Sequence, residues 1–150
     1  MALVLALSGI NAGAQNLDSM LVRMEENVRH IVAEGYNGRK AGTADEKAVA
    51  EYLYGQLEKM GVAMLTPLEG DDFFMLQGAD TIHSRNVVGV IEGYDPQLKN
   101  EYVVIGAHYD HIGTGMTVQD GAGQVQVYPG ADDNASGVAA LLEVAREISL

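Results

Sequence analysis

At 150 residues the chain has the length of one domain, and with 47 % hydrophobic residues it has the material for a core. Nine Lys and Arg against 21 Asp and Glu leave a formal charge of −12. That balance argues against nucleic acid or an anionic membrane as partner, since both need a basic surface, and it attracts cations such as a free α-amino group. There is no cysteine, so disulfides and thiolate metal sites are excluded, and any metal must be held by His and carboxylates.

Met1 to Gln15 carries no charged side chain. Ala2 to Leu7 is a short apolar core, and Ala12-Gly13-Ala14 fits the small-x-small rule for cleavage before Gln15. The stretch is too short to span a bilayer. Residues 1–14 therefore read as a signal peptide remnant, with no basic residue near Met1, against the alternative of a disordered or packed N-terminal arm. Export to a periplasm or out of the cell is the corresponding expectation.

Leu17, Leu21, Met24, Val28 and Ile31 recur at helical spacing until Gly35 stops the run. His30 lies beside that stripe as a helix-surface residue. Tyr36 to Gly42 is expected to be a loop. Thr43 and Glu46 then form a capping box, Val49, Leu53, Leu57 and Met60 a buried stripe, and Gly61 the helix stop. Val62–Leu65 and Phe73–Leu76 read as short strands around a turn-rich segment in which Asp71-Asp72 is an exposed acidic turn. Asp80 to Arg85, with His83, reads as a polar loop.

Asn86 to Ile91 reads as a buried strand, and Tyr102-Val103-Val104-Ile105-Gly106-Ala107 as a second one, apolar on both faces. Only Glu92 to Asn100 separates them, too little for a helical crossover, so the two are expected to pair antiparallel in a mixed sheet. The second strand ends on His108-Tyr109-Asp110-His111. A Gly-rich loop follows, in which Thr114–Tyr128 either closes over the site or forms a surface hairpin around Gln124–Val127. Gly130-Ala131-Asp132-Asp133-Asn134-Ala135-Ser136-Gly137 comes next, and then Val138, Leu141, Leu142, Ala145 and Ile148 on one face of a helix over 134–149. His108 at a strand end and Asp133 at a helix start fall where open α/β sheets bind ligands. An imidazole and a carboxylate are usual zinc ligands, and Asp110 two residues on is placed to orient the His108 ring. The plainer reading of Asp132-Asp133 is a helix cap; capping, however, needs neither His108-Tyr109-Asp110 nor five glycines between the motifs.

The segments GAHYDHIG and PGADDNASGVAALLEVARE resemble the co-catalytic zinc aminopeptidases, the family of the secreted leucine-type aminopeptidases and glutamate carboxypeptidases. The resemblance covers Asn86 to Ile148 well and the upstream half loosely. It implies a three-layer α/β sandwich with a mixed, mostly parallel sheet, and hydrolysis of N-terminal residues of peptides by two zinc ions. It implies His108 as ligand to one zinc, Asp133 as the bridge between both, and Asp110 as the residue that orients His108; His111 faces the substrate side, packs, or is itself a ligand. The family's paired glutamates, a further Asp and a final His would follow Leu150. Residues 15–150 are thus expected to be the N-terminal part of the peptidase domain, inactive alone. Two other readings stand beside this one: a non-catalytic domain that keeps the fold for binding, and the mono-zinc chemistry of the glutaminyl cyclases, whose second motif differs from GADDNASG.

Overall fold

A computed structural model describes residues 3–68, 73–98, 100–119 and 122–149, with side chains described except those of residues 3–16, 77, 119 and 122. The acidic pair Asp71-Asp72 and the side chains of the N-terminal apolar run therefore lie outside the described residues.

Three helices carry the structure. Helix α1 spans Leu3–Ile31, and Arg29 in its last turn complements the negative end of its dipole. The segment expected to be cleaved forms, from Leu3 onward, the first 12 of the 29 residues of this helix. A 3-10 turn, Glu34–Tyr36, leads to α2, Ala44–Lys59, whose N-cap is Thr43: its hydroxyl accepts from the Glu46 N–H. Gly61, at φ +80°, ends the helix in the left-handed conformation that favours glycine. Helix α3 spans Ser136–Ile148. It starts two residues later than expected, because an irregular turn at Ala131–Ala135 precedes it.

The core lies where these helices meet. Ile31 of α1, Val49, Leu53 and Leu57 of α2, and Val138, Leu142 and Ala145 of α3 are buried together with Val62 and Ala135. Burying a Leu, Ile or Val of this kind stabilises by about 1.5–3 kcal/mol. The periodicities expected for α2 and α3 are those that pack; the differences are one residue at the end of α3 and two in α1. Ile148 is exposed, and Leu17 and Leu21 stand about half in solvent. In the same helix contact a polar pair replaces apolar packing: Arg23 of α1 grips the buried Glu143 of α3 through Nε and Nη2, the latter at 2.6 Å.

Among the described residues the strands are short and all pair antiparallel. β1, Ala63–Met64, pairs with β4, Gly89–Val90; β2, Phe73–Gln77, pairs with β3, Asp80–Ser84; β5, Gly113–Gln119, pairs with β6, Ala122–Tyr128. The architecture is α/β in character, with helices and small antiparallel pairs. Two expectations change here, and one open alternative takes the form of a hairpin. Asp80–Arg85 is not a loop: His83 sits in β3 opposite Phe74, which lies on the same face as its ring. The 114–128 segment is a hairpin. The apolar run Tyr102–Ala107 forms no strand, and Val103 and Val104 are about nine-tenths exposed. Among the described residues no ladder forms against 102–107, so nothing pairs its backbone groups as a strand requires; the segment expected beside it pairs, at Gly89–Val90, with Ala63–Met64. The segment meets the core only as it ends, at Ala107 and then Tyr109.

Candidate metal centre

The loop after α1 is the platform of the site. Asn37, Gly38 and Arg39 all take positive φ (43°, 72° and 38°), a run that curls the backbone so that its carbonyls face the chain at 109–113. The His111 N–H donates to the Arg39 carbonyl and the Gly113 N–H to the Gly38 carbonyl, each at 3.1 Å. Gly38 is required by proximity as well as by φ: a Cβ there would come within 2.5 Å of the Gly113 and Tyr128 carbonyl oxygens.

Arg39 is fully buried. Its guanidinium donates to the main-chain carbonyls of Tyr109, Pro129 and Gly130, the last at 2.7 Å. Burial pushes its pKa down, and the nearby Asp110 and Asp133 carboxylates push back. The two segments that carry the candidate ligands are thus tied to one side chain through their backbones.

The sequence-predicted residues do converge. His108 Nε2 stands 3.0 Å from Asp133 Oδ1, although the two are 25 positions apart. On the other side of the ring, His108 Nδ1 lies 3.1 Å from the Asp110 carbonyl and 3.5 Å from Asp110 Oδ1. An Nδ1–H directed at Asp110 leaves the Nε2 lone pair for an electrophile on the Asp133 side. His111 Nδ1 is 3.8 Å from the second oxygen, Asp133 Oδ2. The Asp133 side chain is 71 % exposed and that of His111 only 13 %, so Asp133 faces the solvent while His111 forms the floor. Gly130 makes this approach possible: a Cβ there would lie 2.4 Å from the Asp133 carbonyl oxygen and 2.6 Å from the His111 ring.

Capping does not account for Asp132 and Asp133. The N-cap of α3 is Ala135, without a side-chain cap hydrogen bond. Asp133 is non-helical (φ −115°, ψ 90°) and is joined to Asn134 by a cis peptide, and its carboxylate points to His108 instead. Asp132 contributes its main-chain carbonyl, which accepts from Ser136 Oγ at 3.1 Å.

Behind the site lies a buried polar group that the sequence reading missed. Glu46 is 1 % exposed. It accepts from the Gly42 N–H at 2.6 Å, from Ser84 Oγ and from the Tyr109 hydroxyl at 3.0 Å; the same hydroxyl lies 2.8 Å from the Arg85 carbonyl. Burial, then the Glu46 charge, drives the Tyr109 pKa well above its ordinary value, so the phenol stays a neutral donor. Tyr109 sits between His108 and Asp110 and so anchors their backbone to α2. The capping box hinted at Glu46, but as one end of a helix rather than as a hub reached from three elements.

The donor set fits a zinc ion. Two ligands of a tetrahedral zinc, each ~2.0–2.1 Å from the metal, stand roughly 3.3 Å apart, close to the His108–Asp133 separation. Both are of the nitrogen and oxygen type that zinc takes without thiolates. Among the described residues no group of three or more His, Cys, Asp or Glu converges as a metal site, so this pair with its Asp110 orienter is what the segment offers.

Comparison with known proteins agrees with this chemistry. Residues 86–149 match the family model described as Peptidase family M28. That family covers co-catalytic zinc aminopeptidase- and carboxypeptidase-like peptidases, hydrolases that are usually zinc-dependent, and the match is to part of the domain. No solved structure matches the chain.

Proposed function

From the M28 match of residues 86–149, we propose that this chain carries the first half of the metal centre of an exported zinc exopeptidase, an aminopeptidase that removes N-terminal residues from peptides with two zinc ions. The observation that carries the proposal is the 3.0 Å approach of His108 Nε2 to Asp133 Oδ1 with Asp110 on the other ring nitrogen. His108 holds one zinc, Asp133 holds both, and Asp110 fixes the tautomer and tilt of the His108 ring. Bound zinc supplies Lewis acidity toward a carbonyl and a water acidified toward pKa ~7. What the protein itself does is hold the imidazole in place, offset cationic charge with a carboxylate, and present a negative surface to a free α-amino group.

The reading extends to fold and location. In the whole domain the exposed run Tyr102–Ala107 takes its place inside a mixed, mostly parallel sheet between helix layers; its uninterrupted apolarity supports that. Residues 1–14 act as an export signal, supported by their lack of charge and the Ala12-Gly13-Ala14 site, and the mature protein is periplasmic or secreted.

The test is metal content together with turnover. Protein carrying the complete catalytic domain should retain about two zincs per chain and hydrolyse an aminoacyl chromogenic substrate until chelated. Asp133→Ala should cost more activity than His108→Ala, since a bridge serves both metals. A single zinc at saturation refutes the two-metal reading; equal and small losses in the two variants refute the ligand assignment.

A further inference from the structure

We infer that Arg39 is the positioning residue of the metal centre: its buried guanidinium holds the strip bearing His108, Asp110 and His111 in register with the strip bearing Asp133, through main-chain carbonyls alone. The inference rests on reading His108 and Asp133 as metal ligands and adds a residue that touches neither.

The geometry makes the case. A guanidinium presents several donors in a rigid planar fork, and here three carbonyls from two separate segments fill it: Tyr109 on one side, Pro129 and Gly130 on the other. Tyr109 lies directly between His108 and Asp110, and Gly130 carries the turn that delivers Asp133. The backbone of the same residue completes the clamp, since the Arg39 carbonyl accepts from the His111 N–H at 3.1 Å. A fully buried cation is costly unless its donors are satisfied and opposite charge is near. The main-chain carbonyls meet the first requirement. Asp110 and Asp133, the two carboxylates of the centre, meet the second through space. A side chain present only to fill the volume would not need a charge. Lysine keeps the charge but has one point of attachment and cannot span three carbonyls of fixed spacing.

The backbone of residue 39 has φ +38°, a strain that Lys, Met and Ala share with Arg, so differences among these variants report the side chain. Zinc alone is titrated into protein carrying the complete catalytic domain and into its Arg39→Lys, Arg39→Met and Arg39→Ala variants, with circular dichroism confirming that each variant is folded at the working temperature. Amide exchange at His111 and Gly113 is followed in parallel. Loss of a group that orients ligands weakens metal binding by about 10–100-fold. Arg39→Met and Arg39→Lys should both fall in that range, with faster exchange at the two amides and unchanged protection in the middle of α2. Added guanidinium ion should restore part of the zinc affinity of Arg39→Ala and none of that of Arg39→Lys, whose side chain occupies the space. A folded Arg39→Lys that binds zinc within twofold of the wild type overturns the inference, whatever happens to the melting temperature. Faster exchange with unchanged zinc affinity overturns it too, because the residue would then be structural only. Wild-type protein with the complete catalytic domain that takes up no zinc removes the metal reading itself, an outcome distinct from variants that match a zinc-binding wild type.

Discussion

Replacing Glu46 by alanine separates a helix cap from a buried hub. As the third residue of a capping box it would stabilise the start of α2 by about 1 kcal/mol. The structure assigns it more. Its carboxylate accepts from the Gly42 N–H, Ser84 Oγ and the Tyr109 hydroxyl, and the side chain is 1 % exposed. Alanine leaves the first two donors without this acceptor, at about 1–3 kcal/mol each, while Tyr109 falls back on the Arg85 carbonyl 2.8 Å away. Relief of the desolvated charge offsets part of that. The expected loss is about 2–4 kcal/mol, a large share of the ~5–15 kcal/mol by which domains are stable. Urea denaturation of the wild type, Glu46→Ala, Tyr109→Phe and the double variant closes a cycle, and a coupling of about 1–2 kcal/mol is expected between the pair. A Glu46→Ala loss near 1 kcal/mol, with additivity inside ~0.5 kcal/mol, would refute the hub.

Three further outcomes follow from the same geometry. Gly130→Ala should weaken zinc binding far more than its effect on stability suggests, because the new Cβ would fall 2.6 Å from the His111 ring and 2.4 Å from the Asp133 carbonyl oxygen; calorimetric zinc titration beside a urea melt checks it, and parallel small changes would contradict it. The Arg23 hydrogen bond, ahead of its charge, holds the Glu143 pKa below the ordinary value of 4.5. A depressed folded pKa means that this stabilisation is in full force above the unfolded value and fades as pH falls through the folded one. Arg23→Met should therefore flatten the stability profile below pH ~4.5 and lower stability at pH 7, and a profile parallel to the wild type would refute the assignment. On the proposed reading of residues 1–14 as an export signal, exported protein should begin at Gln15, seen by N-terminal mass analysis; retention of Met1 or Ala2 would refute that reading.

Local chemistry was legible where one segment decides its own outcome. Thr43 and Gly61 bracket α2 in the sequence as they do in the structure, and the stripe Val138–Leu142–Ala145 declares the buried face of α3. The approach of His108 to Asp133 was legible from the two motifs, but their expected settings were not: no strand ends at His108, and Asp133 lies in the irregular turn that precedes α3. What depended on a choice of partner was not. The run 102–107 looks like an inner strand, but an inner strand needs neighbours, and among the described residues none pairs with it. His83 looks polar and loop-like until Phe74 is set opposite it. Arg39 left no periodic trace at all, since its three partners are backbone carbonyls 70 to 91 positions away, and carbonyls carry no sequence signal.

The central claim is that His108 and Asp133 share one zinc. Among the chain's 4 histidines, His30 is stacked on Tyr52 and His83 sits in β3, both outside the centre. Imidazole carbon–proton resonances followed during a zinc titration resolve them individually. The account predicts that His108 responds first, that His30 and His83 stay still, and that Asp133→Ala weakens the His108 response by at least about tenfold. Four histidines responding alike, or a His108 response indifferent to Asp133→Ala, would contradict it.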